Sequence, residues 1–308
     1  MEELGHTPSP KNPLRDNANN RAIGEIKFGK IRDALGRADY ASNDVLIYQS
    51  DCVEALRSLP SQIFDLTVTS PPYNIGKEYE AEMPLEKYLK WSAEWISQVY
   101  RTSSARGSFW LNLGYVSVDR KGKAVPLPYL LWPYIPFFLI QEIVWNYGAG
   151  VATRHSFSPR NEKFLWCVKD SENYVFNLDR VRDKDVKYPN QKKNGKLKCN
   201  PDGKNPTDVW TFPKVTSGSQ RASPERTPHP AQFPIAVIER IIEACSNEGD
   251  IILDPFMGSG TTAEAAIRLG RKVVGFELKS NYVEIAAQRL NNHYEEEAIR
   301  ESQTALFG

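Results

Sequence analysis

The string FDLTVTSPPYNIG, residues 64–76, holds the most concentrated chemistry in the chain. A strand-like, β-branched run ends abruptly on Ser70-Pro71-Pro72-Tyr73. Two consecutive prolines fix φ and remove two backbone donors, so the turn offers carbonyl oxygens without competing N–H groups. Ser70 adds a hydroxyl that can accept or donate. Tyr73 sets an aromatic ring just beyond, a platform on which a planar base could stack, so Phe there should be tolerated and Ala should not. An amine held between the Ser70 hydroxyl and a proline carbonyl donates both N–H bonds and leaves its lone pair aimed at an electrophilic methyl. Such a site works by positioning and electrostatics rather than by a strong base. Taken alone, Pro-Pro equally describes a rigid corner with a packed tyrosine.

A second constellation lies near the end of the chain, in GDIILDPFMGSGTTAEAAIRLGRKVVGFE, residues 249–277. IILDPF reads as a buried strand. Gly258 and Gly260 permit a tight turn whose backbone N–H groups approach a ligand closely. Thr261 and Thr262 open a helix whose free N–H groups carry partial positive charge, suited to a carboxylate or a phosphate. Glu277 follows about 20 residues on, where a ribose-hydroxyl acceptor belongs. GSGTTA lacks the third glycine of a dinucleotide fingerprint, which disfavours NAD; an acid without a basic neighbour suits adenosine. A purely structural strand–turn–helix is the plain alternative.

Elements able to position these groups follow from the hydrophobic pattern. From Asp44 onward, short β-branched and aromatic runs (VLIYQS, FDLTVTS, SFWLNLG, EIVWNYG, FLWCVK) alternate with helix-like segments, as in βα units around a mostly parallel sheet. Helical spacing marks YLKWSAEWISQVY, PIAVIERIIEAC behind Pro234, TTAEAAIRL, and a last helix from about Ser280 with a capping-box pattern at Asn281 and Glu284. Trp91, Trp95 and Trp110 fall on core positions. The first forty or so residues show little periodicity and read as a mobile arm. The apolar run at 127–140 is too short to span a bilayer and carries three prolines, so it reads as a buried helix or packed loop.

With 308 residues, 41% hydrophobic and 25% charged, the composition is that of a soluble globular protein, and no basic-apolar leader opens the chain. Four dispersed cysteines form no CxxC pair, which predicts reduced thiols in the cytoplasm and neither zinc nor a disulfide framework. The four histidines are scattered and suggest neither a metal nor a general base. Net charge is only +1, yet residues 180–226 hold twelve Lys/Arg against five Asp/Glu, a local +7 that leaves −6 elsewhere. That division suits a face presented to a polyanion, or simply a solvated basic loop.

The two constellations together resemble the DNA amino-methyltransferases. Thr69-Ser-Pro-Pro-Tyr-Asn74 is similar to that family's catalytic motif, and Asp254-Pro-Phe-Met-Gly-Ser-Gly-Thr-Thr262 to its S-adenosylmethionine motif. The catalytic motif precedes the cofactor motif, as in the permuted β group. YQSDCVEALRSLP resembles the adenine-contacting segment, HPAQFP at 229–234 the lead-in to the cofactor strand, and GFELKSNYVEIAAQRL the ribose-binding segment. Ser50 and Phe233 depart from residues common in the family, without touching a catalytic group.

The resemblance implies a Rossmann-like α/β fold with a circularly permuted, mostly parallel sheet and S-adenosyl-L-methionine as cofactor. Its catalytic residues would be Ser70, Pro71, Pro72 and Tyr73. Cofactor contacts would come from Asp51, Cys52, Pro230, Asp254, Pro255, Phe256, Gly258, Ser259, Gly260, Thr261, Thr262 and Glu277. It divides the chain into an arm (1–43), a catalytic half (44–169), a target-recognition region (170–227), a cofactor half (228–294) and a tail (295–308). Lys192, Lys193, Lys196 and Lys198, with the aromatics Tyr174, Phe176, Tyr188, Trp210 and Phe212, would meet double-stranded DNA. The substrate would be a flipped-out base methylated on an exocyclic amine, N4 of cytosine ahead of N6 of adenine because the turn begins with Ser rather than Asp. A restriction-modification setting with a separate endonuclease fits, and the chain would act as a monomer or homodimer. Rival readings are a methyltransferase acting on RNA, protein or a small molecule, whose related turns usually begin with Asn, and a non-enzymatic DNA-binding protein.

Overall fold

The computed structural model describes residues 13–77, 80–148, 150, 152–215 and 223–307. Helix α1 (Pro13–Leu35) leads into β1 (Tyr40–Ala41), β2 (Val45–Gln49), α2 (Cys52–Ser58), β3 (Phe64–Thr69), α3 (Leu85–Thr102) and β4 (Ser103–Leu113). The hairpin of β5 (Tyr115–Val118) and β6 (Gly122–Pro126) follows, then α4 (Leu127–Leu131), β7 (Phe138–Asn146) and β8 (Asn161–Val168). Next come the hairpin of β9 (Lys192–Lys193) and β10 (Lys196–Leu197), β11 (Val209–Thr211), α5 (Ile235–Cys245), β12 (Ile251–Asp254), α6 (Thr261–Arg268), β13 (Lys272–Glu277) and α7 (Ser280–Phe307).

Period-2 alternation along the central strands buries both faces. Leu46, Phe64, Leu253, Val274 and Phe276 face one core, closed by Val53 and Leu56 of α2, Trp95 and Val99 of α3 and Leu127 of α4. Ile47, Leu66, Val68, Ile252 and Val273 face the other, closed by Ile238 of α5, Ala263 of α6 and Ala286 and Leu290 of α7. A parallel sheet must be covered in this way on both sides. Among the described residues, nine strands pair in the order β1-β2-β13-β12-β3-β4-β8-β7-β11. β1 and β8 run against their neighbours, and every other pairing is parallel. The connection β12–α6–β13 leads one way from the centre and β3–α3–β4 the other, so the winding direction reverses between β12 and β3. Among the described residues no helix is long and apolar enough to cross a membrane.

Three expectations are corrected. Composition made residues 1–43 a mobile arm; 1–12 lie outside the described residues, but from Pro13 the segment is helical and docked. Among the α1 residues whose burial is described, 17–35, only Gly24, Phe28 and Ile31 are buried, too sparse a stripe to read from sequence. Ion pairs complete the seat: Lys27 to Asp65 at 2.7 Å and Glu25 to Lys272 at 2.7 Å. Residues 295–307 are the continuation of α7 rather than a tail. The apolar run at 127–140 is split, with Leu127 and Leu131 buried in one helical turn and residues 138–140 starting β7.

Docking of α1 depends on Gly24. A Cβ there would lie 2.1 Å from the carbonyl oxygen of Gly249, a backbone atom with little room to retreat. Ala is the better helix former by about 1 kcal/mol, so an unseated helix would gain from Gly24→Ala. The overpacked interface instead makes a net loss of about 1–2 kcal/mol the expected result. A urea midpoint equal to or above that of the unaltered protein would show that α1 is not held there.

Candidate active site

A parallel sheet gathers the C-terminal ends of its strands along one edge, and ligands bind where the winding reverses. Across that edge stand Asp51 after β2, Glu277 ending β13, Asp254 ending β12, Ser70 after β3 and Asn112 near the end of β4. Glu162 joins them from the start of antiparallel β8. All six line a single cavity of about 690 Å³, within the usual range for a small-molecule site. Pro71, Pro72, Tyr73, Cys52, Pro230, Pro255, Phe256, Gly258, Ser259, Thr261 and Thr262 also line it. Gly260 does not. With φ at +76° it precedes α6, and a Cβ there would lie 2.9 Å from that of Ala286, so it lets α6 approach α7.

The Ser70–Tyr73 turn and the glycine loop after β12 are tied together beneath this cavity. Thr69 donates to Asp254 Oδ1 at 2.8 Å, Thr262 to Oδ2 at 2.6 Å, and the Phe256 amide to Oδ1 at 3.1 Å. Burial pushes the Asp254 carboxyl up to about 7, against the pull of the two threonine hydroxyls. Both its oxygens are committed inside the protein, so Asp254 acts on a ligand through the shape of the loop.

At the turn, Asn112 donates through Nδ2 to the Lys163 carbonyl at 3.2 Å, which aims its Oδ1 at Ser70 and Tyr73. Ser70 donates to that oxygen at 3.2 Å, and the Tyr73 hydroxyl donates to it as well. With its proton directed there, Ser70 Oγ presents lone pairs and becomes an acceptor. The Pro72 carbonyl is occupied by the Tyr88 hydroxyl at 2.8 Å. The Tyr73 ring lies against Gly114, where a Cβ would come within 2.7 Å of its Cε2. Glu162 Oε2 lies 3.5 Å from the Tyr73 hydroxyl, and its Oε1 accepts from Lys214 at 2.7 Å. Lys214 Nζ sits 3.8 Å from the centre of the Tyr147 ring. Sequence reasoning missed Asn112, Glu162, Lys214 and Tyr147. The one available signal was Asn112, an amide inside the otherwise apolar strand SFWLNL.

The opposite wall fits a nucleoside-like cofactor. Glu277 accepts the Gly258 amide at 2.9 Å and the Lys279 amide at 3.0 Å, which fixes its carboxylate at the cavity edge. Asp51 caps α2 through Oδ1, accepting from Val53 at 2.8 Å and Glu54 at 3.2 Å. Phe256 and Trp91 meet edge-to-face with centres 5.7 Å apart and supply an aromatic wall. Trp91 was expected in the core, as Trp95 and Trp110 are, but it lines the cavity. Burial and the neighbouring Asp51 charge raise the Cys52 thiol, so it is a neutral part of the wall. Burial also lowers His229 to about 4, leaving a neutral ring that packs edge-on against Tyr282. That ring explains Gly258, whose φ is +53° and whose Cβ would lie 3.1 Å from His229 Nε2. Thr262 is spent on Asp254, and the Thr261 hydroxyl accepts from Arg289 at 2.9 Å. Two carboxylates at adjacent strand ends, a pair of aromatic rings and a glycine turn match a ligand with a diol and a planar ring.

The basic stretch is partly structural, which corrects the DNA-contact reading of its aromatics. β11 extends the main sheet, Trp210 stacks on Trp110 at 5.7 Å, and Tyr174 meets Trp166 edge-on. Phe212 is partly buried against the same core, whereas Phe176 and Tyr188 are exposed. Lys192, Lys193, Lys196 and Lys198 sit away from the cavity on the exposed β9–β10 hairpin, turned by Asn194 and Gly195 with φ of 52° and 77°. Residues 216–222 lie outside the described residues.

Residues 64–288 match the DNA methylase family. The chain is a member of that N4/N6 amino-methyltransferase family. It is 64% identical over 266 residues to the type II methyltransferase M.ScaI of Streptomyces caespitosus, covering 86% of this chain and 88% of that one. Its fold matches the cytosine-N4-specific PvuII DNA methyltransferase with a TM-score of 0.65 at 21% identity, over 83% of this chain and 89% of that one. The M1.HpyAVI complex with S-adenosylmethionine matches with a TM-score of 0.54 at 25% identity, over 80% of this chain and 99% of that one. This DNA methyltransferase therefore uses S-adenosylmethionine, on a Rossmann-like, mostly parallel α/β fold.

Proposed function

We propose that this methyltransferase modifies the exocyclic N4 amine of a cytosine turned out of double-stranded DNA. The observation that carries the reading is the Ser70 hydroxyl, whose proton is directed to Asn112 and whose lone pairs are left for an N–H donor. The amine donates one N–H to Ser70 Oγ and the other to the Pro71 carbonyl, while the base lies along Tyr73. Its nitrogen lone pair then points toward the cofactor wall. Bound S-adenosylmethionine supplies an electrophilic methyl group. A hydroxyl is a neutral acceptor, whereas a carboxylate at this position would balance a growing positive charge on the amine. In the family resemblance, Ser at the first position of the turn goes mostly with cytosine and Asp mostly with adenine. Nucleoside digestion and mass spectrometry of DNA treated with the purified protein tests the reading. N4-methylcytosine is expected; N6-methyladenine as the sole product would overturn the choice of base and leave the methyltransferase intact.

Glu277, Asp51, Phe256 and the Gly258 turn are assigned to S-adenosylmethionine, Glu277 to its ribose hydroxyls. Glu277→Ala is expected to weaken cofactor binding by about 1–3 kcal/mol, with unchanged calorimetric affinity in a folded variant as the contrary result. The β9–β10 hairpin is assigned to DNA phosphates. Neutralising Lys192, Lys193, Lys196 and Lys198 should flatten the dependence of log K on log salt by up to about 0.9 for each phosphate no longer neutralised. An identical slope would remove the hairpin from the interface. A separate cognate endonuclease completes the proposed restriction-modification setting.

A further inference from the structure

The loop between β7 and β8 lies at the active-site edge, and its described residues 152–160 are more definite than a plain connection. The Tyr147 amide donates to the Arg160 carbonyl at 3.0 Å and closes its base. Within it, the Thr153 amide donates to Ser158 Oγ at 3.2 Å, the Thr153 hydroxyl donates to the Ser156 carbonyl, and Ser156 Oγ donates to Thr153 Oγ1 at 3.2 Å. These bonds fold residues 153–158 into a self-closed turn that holds Phe157 outward and fully exposed. The loop then re-enters the cavity wall through Pro159 and Asn161. Between residues 147 and 161 it carries Arg154, His155 and Arg160 and no acidic residue. Other exposed aromatics lie on other elements: Tyr129, Trp132 and Tyr134 on and just after α4, Phe138 at the start of β7, and Phe176 and Tyr188 between β8 and β9.

A large apolar side chain stands fully in water two residues before the cavity-lining Pro159, on a loop whose sequence carries two arginines and no acid, and is available to a partner of matching chemistry. On the proposed reading, that partner is at hand. Taking a base out of duplex DNA leaves an unstacked gap and an orphaned partner base, a cost of a few kcal/mol that apolar wedges commonly offset by entering the stack. Flanking arginines would meet the phosphates on either side. We propose that Phe157 inserts into the DNA stack beside the vacated position and holds the target base extrahelical, as a positioning residue distinct from the Tyr73 platform. This rests on the reading of the chain as acting on a flipped-out base.

The test uses the full chain with saturating S-adenosylmethionine and duplex oligonucleotides bearing the site found by sequencing DNA that the unaltered enzyme has methylated. One duplex is fully paired; in the other, the target base faces an abasic position, so no pair need be broken and no partner base is orphaned. Phe157→Ala should lower kcat/KM on the paired duplex by about tenfold to a hundredfold. It should stay within about threefold of the unaltered enzyme on the abasic-opposed duplex, and Phe157→Leu should retain most activity on both. Full activity of Phe157→Ala on the paired duplex, or an equal loss on the two duplexes, would overturn the wedge. If the unaltered enzyme modifies neither duplex nor any other DNA, the methyltransferase reading itself fails, a result separable from loss of the wedge.

Discussion

Replacing Asp254 with alanine is expected to lower the unfolding free energy by about 3–5 kcal/mol and to abolish S-adenosylmethionine binding at concentrations that saturate the unaltered protein. Three donors converge on this buried carboxylate, from the end of β3, the start of α6 and the Phe256 amide between them. Each donor left buried and unpaired costs about 1–3 kcal/mol. Asp254→Asn keeps an acceptor and should be milder. It also isolates a pH effect. In the unfolded chain an aspartate ionises near its ordinary value of 3.8, whereas burial holds Asp254 at about 7. The folded state therefore binds this proton more tightly. Its contribution is full below pH about 4 and is lost as pH rises through about 7, a change on the order of 4 kcal/mol. Asp250 is raised in the same direction by burial and by Asp65 beside it, so the variant keeps part of the slope. Urea unfolding at pH 5 and pH 8 should show greater stability at the lower pH and a smaller difference in Asp254→Asn. Equal pH dependence of the two proteins would mean that Asp254 is not the titrating group.

The parts of the site that were legible in sequence are those encoded by neighbours in the chain. Ser70, Pro71 and Pro72 announce a backbone constraint within three residues, and Gly258 with Glu277 announces a turn and an acceptor within twenty. Asn112 and Glu162 are brought together by the pairing of β4 with β8, in which Leu113 faces Lys163; nothing near either residue marks that register. Lys214 reaches Glu162 only because β11 adds to the edge of the sheet. That same edge pairing draws Trp210 and Phe212 inward, although their basic surroundings pointed to DNA. For α1 the failure is one of contrast. Its hold comes from one close glycine contact, two buried side chains and ion pairs to partners far along the chain, none of which produces an amphipathic pattern. The central strands of the sheet were readable, because strands buried on both faces must be apolar at nearly every position, whereas the short edge strands β1 and β11 were not.

The structure also alters what a change at Tyr73 should do. As a stacking platform alone, the ring would make Phe a neutral replacement. Its hydroxyl, however, donates to Asn112 Oδ1 and lies 3.0 Å from Ser70 Oγ, within the arrangement that sets the Ser70 proton. Tyr73→Phe keeps the ring and its packing on Gly114 but loses about 0.5–1.5 kcal/mol of hydrogen bonding. That corresponds to about a two- to tenfold fall in kcat/KM. Tyr73→Ala also removes the stacking surface, worth about 1–3 kcal/mol per base, so its expected loss is about 2–4 kcal/mol, or roughly 30- to 1000-fold. Both are read on duplex DNA with saturating S-adenosylmethionine, after circular dichroism establishes that each variant is folded. An alanine variant as active as the unaltered enzyme would place the base elsewhere in the cavity. A phenylalanine variant as inactive as the alanine one would assign the effect to the hydroxyl, and Tyr73 would then serve to orient Ser70 rather than to carry the base.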